Sequence, residues 1–239
     1  MERSRKSLVL FLLAVFGLIL TPWAKEYWQE KPFNRWNEQE AMAMLTHSPW
    51  SQSSTIPENY AGSSPPGSLH LEEGQMGSAP TSSDRGMSSG IGGGNSIPVH
   101  IRWCSSQRVR QAMFRLKQLH GNLTETQEFL KQDMPDYAIC ISCQVIQPFN
   151  TVTLDTIKPK TFLLSKKDKS KKIGLKSYSP PRERQDTQAI FVFPRTLDGK
   201  ATIELADDEI TFVTELGKNK FRGTFKLAKM VVDGQLDLY

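Results

Sequence analysis

The sequence predicts an α+β fold in which a mostly antiparallel sheet is combined with two or three helices. Short apolar segments of strand length recur through the C-terminal half and are separated by turn residues, which is typical of antiparallel sheets. Apolar residues also recur at helical spacing over Val109–Leu119.

The formal net charge of +5 permits an anionic partner without requiring one. Three cysteines exclude a disulfide-dense scaffold and a four-cysteine zinc site.

Residues 1–24 have the composition of an export signal. A basic region over residues 3–6 precedes the uncharged apolar run Leu8–Leu20. This thirteen-residue run has the length of a signal-peptide core, whereas a membrane-spanning helix needs about 20 residues. Cleavage after Ala24 would place Pro22 where a small residue is favoured, so a cleaved signal peptide and a retained signal anchor both stay open. The predicted location is the periplasm or the medium, with an inner-membrane anchor if the segment is retained.

Residues 25–50 form a predicted Trp-rich helical module. Asn37 is a good N-cap, and Glu40 three residues later completes a capping box. The helix should end before Pro49, because a proline disfavours helical geometry in the residue that precedes it. Tryptophans on both sides of a helix too short to be stable alone predict that it packs on its own domain. A partner-binding amphipathic helix is the alternative.

Residues 51–96 are predicted to be a disordered linker. Nine of the sixteen glycines lie in this Gly/Ser/Pro-rich stretch, which contains too little apolar surface to offset the entropy of ordering it. The segment around Ile56 is an exception that could extend as a strand. The glycine run 92–94 lacks the lysine and serine or threonine of a phosphate loop, so the sequence predicts no cofactor site here.

Residues 97–239 are predicted to form the α+β domain. Ser105 or Ser106 should cap its first helix, and Gly121 should end it. The most apolar strand is apolar on both faces, which predicts a central position. The predicted strands are Ile97–Trp103, Tyr137–Ile146, Thr161–Leu164, Ile173–Tyr178, Ala189–Phe193, Thr211–Thr214, Phe221–Leu227 and one in residues 230–239. The predicted helices cover Val109–Leu119, a short stretch opened by Thr124, and Thr153–Ile157.

Cys140 and Cys143 form a C-x-x-C motif, the sharpest chemical signal in the chain. Thiol–disulfide exchange needs the first cysteine at a helix N-terminus, whereas this motif lies in a predicted strand. Residues three apart on a strand point to opposite faces, so we predict that these two cysteines are not bonded to each other. Cys104 could pair with either of them in an oxidising compartment.

A lysine-rich cluster follows the predicted strand Thr161–Leu164. It comprises Lys166, Lys167, Lys169, Lys171, Lys172 and Lys176, followed by Arg182 and Arg184. Export disfavours nucleic acid as the partner of this cluster and favours an anionic envelope surface. A solvated hairpin tip, where lysines discourage edge-to-edge association, is the favoured interpretation, because charge runs usually face solvent.

The sequence predicts no catalytic or metal-binding residues. The acidic triplet Asp207–Glu209 lacks the spacing of a calcium loop and is interpreted as a turn between strands. The chain also lacks the H-E-x-x-H motif of zinc hydrolases, and its four histidines are scattered. These features favour a non-enzymatic binding module over the alternative, a periplasmic thiol-dependent or hydrolytic enzyme.

Two stretches together are similar to a known family. The stretch KPFNRWNEQEAMAMLTHSPW and the ending FVFPRTLDGKATIELADDEITFVTELGKNKFRGTFKLAKMVVDGQLDL resemble a family of uncharacterised exported bacterial proteins, best known from acidobacteria. VHIRWCSSQRVRQAMFRL resembles the same family more loosely. The resemblance implies export and an α+β domain with a variable Gly/Ser insert, and it implies no activity, cofactor or partner. We therefore expect an exported envelope protein whose partner is an envelope protein or an anionic envelope surface.

Overall fold

The computed structural model describes residues 26–57, 96–121, 128–144, 147–181 and 188–239. The predicted α+β class is confirmed. The helices are α1 (Tyr27–Glu30), α2 (Glu38–Thr46), α3 (Gln107–Leu119), α4 (Glu128–Lys131), α5 (Gln147–Asn150) and α6 (Leu154–Ile157). The strands are β1 (Ser51–Pro57), β2 (Ser96–Trp103), β3 (Asp136–Cys143), β4 (Phe162–Ser165), β5 (Lys172–Gly174), β6 (Ser177–Ser179), β7 (Gln188–Pro194), β8 (Thr196–Leu197), β9 (Lys200–Ala201), β10 (Glu209–Leu216), β11 (Asn219–Lys226), β12 (Val231–Val232) and β13 (Gln235–Leu236).

The long strands form two antiparallel sheets. The first sheet has the order β1-β2-β3-β7-β6, and the second has the order β11-β10-β4-β5. The strand predicted to be central, β3, lies between β2 and β7. Helices α2 and α3 pack on each other, and α2 also packs on β1 and β2. The guanidinium Nε of Arg102 on β2 donates to the carbonyl of Leu45 in α2, 2.5 Å away.

The apolar core lies between the two sheets. Phe212 on β10 contacts Phe191 and Phe193 on β7, with ring centroids 5.3 and 6.0 Å apart. The two sheets pack closely at Gly223 of β11, where an added Cβ would lie 3.2 Å from Cγ2 of Ile101. A side chain at position 223 would require Ile101 to shift by a few tenths of an ångström, so glycine favours close packing of the two sheets here.

The Trp-rich module packs on the domain as expected. Its helix α2 begins with the predicted capping box, since Asn37 Oδ1 accepts from the Glu40 amide and the Glu40 carboxylate accepts from the Asn37 amide. Trp36 and Trp50 are fully buried in the same apolar core as the sheets. Residues 26–57 are thus part of one folded body with the domain predicted for residues 97–239.

The linker prediction for residues 51–96 starts too early and ends too late. Ser51–Pro57 is strand β1, and Ser96 is the first residue of β2. The two strands pair antiparallel, with Pro57 opposite Ser96, because Ile56 can bury its side chain against Ile97 in this register. Residues 58–95 therefore connect two neighbouring strands and do not separate two bodies. The disorder predicted for them lies outside the described residues.

Two predicted elements differ from the structure. Ile173–Tyr178 divides into β5, which pairs with β4 in the second sheet, and β6, which pairs with β7 in the first. The last predicted strand is a hairpin of β12 and β13, because Asp233 and Gly234 adopt the positive φ values of a tight turn. The capping box predicted at Thr124 lies outside the described residues.

The C-terminal tail is held in the core by polar contacts. The indole N–H groups of Trp50 and Trp103 donate to the carbonyls of Asp237 and Leu238 at 2.7 and 2.8 Å. The buried Asp237 carboxylate accepts from the Ser106 hydroxyl at 2.9 Å and from the amides of Gln107 and Arg108 at 2.7 and 3.0 Å. The tail thereby satisfies amides that have no partner within α3.

We predict that Asp237→Ala destabilises the protein by about 2–4 kcal/mol, because it leaves a buried hydroxyl and two helix-start amides without acceptors. Chemical denaturation monitored by tryptophan fluorescence measures the change. Asp133→Ala is the matched control, since Asp133 forms an exposed ion pair with Arg195 and should cost less than about 1 kcal/mol. Equal losses in the two variants would contradict a stabilising role for the tail.

Candidate functional site

The predicted lysine cluster lies on the β4–β5 hairpin and the segment that leaves it. Lys166, Lys171 and Lys176 form ion pairs with carboxylates. Lys172 places its ammonium 3.8 Å from the centroid of the Phe162 ring. Lys167 and Lys169 are exposed at the tip of the hairpin. Arg182 and Arg184 lie outside the described residues.

The acidic triplet is the partner of this hairpin. Because β4 pairs with β10, the turn after β4 lies beside the start of β10. Lys166 Nζ lies 3.4 Å from Asp208 Oδ2 and 3.2 Å from Glu209 Oε1. Lys171 Nζ donates to Asp207 Oδ2 at 2.6 Å. Two charge clusters that are separate in the sequence therefore neutralise each other in part.

Asp207 is the buried member of this charge cluster. Its carboxylate accepts from the Lys171 ammonium and from the Glu204 amide, the latter at 2.9 Å. Burial alone would raise the pKa of Asp207, but the hydrogen bonds from Lys171, Glu204 and Ser165 outweigh it and lower the pKa below its usual range. The charged form is thus the stable form in the folded protein.

The outer face of the second sheet carries a second group of cations, which the sequence analysis missed. Lys220, Arg222 and Lys226 alternate on β11 with the inward residues Phe221, Gly223 and Phe225. That alternation is visible in the sequence, but only the pairing with β10 shows which face the cations share. A matching hydroxyl pair, Thr211 and Thr224, lies between them with oxygens 3.2 Å apart.

The C-x-x-C motif has the geometry predicted for a strand. Cys140 lies opposite Arg102 on the outer face of the first sheet, whereas Cys143 lies opposite Val99 on the core face. Cys140 forms a disulfide with Cys104, and Cys143 is buried and takes no part in that disulfide. This arrangement settles the pairing that the sequence left open, and it separates the two sulfurs of the motif.

A group of polar residues lies beside the C-terminal tail. A cavity of about 490 Å³ is lined in part by Tyr137, Arg195 and Tyr239. The Arg195 guanidinium stacks over the Tyr239 ring at 3.2 Å and pairs with Asp133 at 3.0 Å. Burial raises the pKa of Tyr137 to about 12. Tyr137 therefore stays protonated near neutral pH, where a general base needs a lower pKa.

Two of the described histidines make polar contacts near the surface. His100 Nδ1 lies 2.9 Å from the Ser53 hydroxyl, and His120 Nε2 lies 2.9 Å from a Glu38 carboxylate oxygen. Within the described ranges, no three His, Cys, Asp or Glu side chains converge as a metal site would require.

Comparisons in sequence and in fold add no relative. The chain matches no protein-family model, no curated protein and no solved structure. In the described part of the chain, no helix has both the length and the apolar character that crossing a membrane requires. The apolar run Leu8–Leu20 lies outside that part.

We predict that Asp207→Asn destabilises the protein at neutral pH and that the loss diminishes in acid. A carboxyl whose pKa is lowered by folding contributes stability above its unfolded pKa, and that contribution disappears as the pH falls through the folded pKa. Denaturant unfolding of both proteins from pH 7 to pH 2 measures the difference. Asp208→Asn is the control, because its exposed pair with Lys166 should contribute less than about 1 kcal/mol. A difference that is independent of pH would contradict the assignment.

We further predict that non-reducing tryptic mapping recovers a cross-linked peptide from Cys104. Cys140 and Cys143 both lie between Lys131 and Lys158, so trypsin does not separate them and substitutions must assign the link. The link should persist in Cys143→Ala and disappear in Cys140→Ala. Reduction should cost about 3–4 kcal/mol, the loop-closure value for a separation of 36 residues. A cross-link that survives Cys140→Ala would contradict the pairing.

Proposed function

We propose that the chain is an exported envelope protein whose folded body is a binding or interaction module. The observation that carries this proposal is the Cys104–Cys140 disulfide. Structural disulfides form and persist in oxidising compartments such as the periplasm, and they are rare in the cytosol of most organisms. The bonded cysteines belong to the body of the protein, so they support export independently of the N-terminal segment.

The N-terminal segment supports the same location. Basic residues before the apolar run Leu8–Leu20 are typical of a signal that directs export. The resemblance of both chain ends to exported proteins agrees with this. We propose that the body lies in the periplasm or the medium, attached to the inner membrane where the segment is retained.

The cysteine positions favour a binding module over a thiol-dependent enzyme. A dithiol catalyst alternates between a reduced pair and a disulfide within one C-x-x-C motif. Cys140 is already bonded to Cys104, and Cys143 is buried on the opposite face of β3. The sulfur atoms of the motif would have to cross the sheet to bond with each other.

The surface charges favour an anionic partner. Lys167 and Lys169 project from the hairpin, and Lys220, Arg222 and Lys226 lie along β11. Exposed lysines and arginines attract anionic envelope components over about one Debye length, roughly 8–10 Å at physiological ionic strength. An envelope protein with a complementary acidic surface is the other partner class consistent with these charges.

Export is tested with a fusion of residues 1–50 to a reporter that is active only outside the cytoplasm. We expect an active fusion, and we expect Leu13→Arg to abolish the activity because a charge interrupts the apolar run. Leu13→Val is the matched control and should leave the activity unchanged. An inactive wild-type fusion beside an active cytoplasmic reporter would refute the proposed location.

A further inference from the structure

We propose that the protein docks on anionic phospholipid through the outer face of its second sheet. This face, called the basic face below, comprises Lys172, Lys220, Arg222 and Lys226 together with Phe162, Leu164, Val213, Thr211 and Thr224. The proposal rests on the proposed export, and it names the anionic partner and the surface that meets it. The position and composition of the basic face identify it as a membrane-facing surface.

The strand register places these side chains in rows. One row runs from Arg222 through Val213 to Phe162, and the next runs from Thr224 through Thr211 and Leu164 to Lys172. Cations therefore lie on both edge strands, with apolar or hydroxyl side chains between them. Helix α2 packs on β1 and β2 of the first sheet, and α3 packs on α2. The basic face is the face of the second sheet that points away from the inward residues Phe221, Gly223 and Phe225.

The charge of the face is positive after its ion pairs are counted. Lys220 pairs with Glu215 at 3.2 Å, and Lys226 lies 3.9 Å from Glu209. Four cations and two carboxylates give a formal charge of +2. The Lys220 and Lys226 side chains keep 63% and 64% of their surface exposed, so their ammonium groups can contact a charged surface while retaining these pairs. Thr211 and Val213 at the centre of the face are buried, so the exposed cations are the groups that can contact a headgroup layer.

The basic face borders the place where the N-terminal segment joins the body. Glu26, the first described residue, lines one cavity together with Thr224, Lys226 and Lys229. Residues 21–25 separate Glu26 from the apolar run, and this stretch of chain spans at most about 20 Å. A retained apolar segment therefore holds the β11 edge of the basic face close to the bilayer.

The location favours phospholipid over the other polyanions. A body tethered within about 20 Å of a bilayer meets headgroups before any other anionic surface. Each lysine or arginine near an anionic leaflet then adds to the attraction, and salt weakens it. Nucleic acid and acidic proteins are tested as competing partners in the experiment below.

The experiment uses the full chain reconstituted into vesicles of phosphatidylcholine alone or of phosphatidylcholine with phosphatidylglycerol. A neutral amine-acylating reagent labels exposed lysines, and mass spectrometry follows the rate at each site. We expect Lys220, Lys226 and Lys229 to react about fivefold more slowly in the anionic vesicles, the factor that corresponds to one charge attracted to the surface. Lys131 and Lys200, on α4 and β9, should react equally in both, and high salt should remove the protection.

Variants test whether the basic face causes the protection. Lys220→Gln combined with Lys226→Gln should restore the labelling rate of Lys229 in anionic vesicles. Lys131→Gln combined with Lys200→Gln removes the same charge elsewhere and should leave Lys229 protected. Near-ultraviolet circular dichroism checks that each variant is folded. If a variant is not folded, the comparison of wild-type labelling in neutral and anionic vesicles decides the question.

Three results would overturn the proposal. These are equal labelling of the face in both vesicles, equal protection of Lys131 and Lys200, or protection in neutral vesicles on adding an oligonucleotide or polyglutamate. The last would assign the face to a nucleic acid or an acidic protein. Labelling uses purified protein, so a negative result beside an active export fusion refutes the docking face alone, and an inactive fusion refutes export alone.

Discussion

The fold depends on the capture of the C-terminal tail by two tryptophans. Trp50 precedes β1 and Trp103 ends β2, yet both indoles donate to consecutive carbonyls of the tail. The Ser105 hydroxyl also donates to the Leu238 carbonyl. The carboxylate of Asp237 meanwhile satisfies the start of α3. One buried segment therefore joins the module, the first sheet and the helix, and removing any of these partners would leave a buried polar group unsatisfied.

Local patterns in the sequence predicted most elements, because capping and alternation are decided within a few residues. The capping box at Asn37, the Ser106 cap and the alternating strands of β10 and β11 are all confirmed. The division into two sheets was not predictable. The chain passes from the second sheet to the first between β5 and β6, and the local sequence does not show which distant strand each of them pairs with. The polar strand β1 is stabilised by its partner β2 rather than by its own apolar content.

The charged surface was also predictable from the sequence only in part. The lysine hairpin and the acidic triplet were each recognisable as charge runs, but their mutual pairing depends on the contact between β4 and β10. Lys220, Arg222 and Lys226 are spaced by other residues and so do not form a run. They become one surface only when β11 is placed at a sheet edge. For the cysteines, strand geometry excluded a bond between Cys140 and Cys143. Only the tertiary fold shows that Cys104 is bonded to Cys140.

The pairing of Pro57 with Ser96 makes the protein a natural candidate for fragment complementation. A break in the 38-residue connection 58–95 would leave a short piece that carries β1 with Trp36 and Trp50, and a long piece that carries the remaining strands. The disulfide lies wholly within the long piece, so reassembly would rest on non-covalent contacts, which are the β1–β2 ladder, the packing of α2 on α3 and the buried indoles. The short piece would then bind as an added strand with aromatic anchors, in the manner of a peptide that completes a sheet.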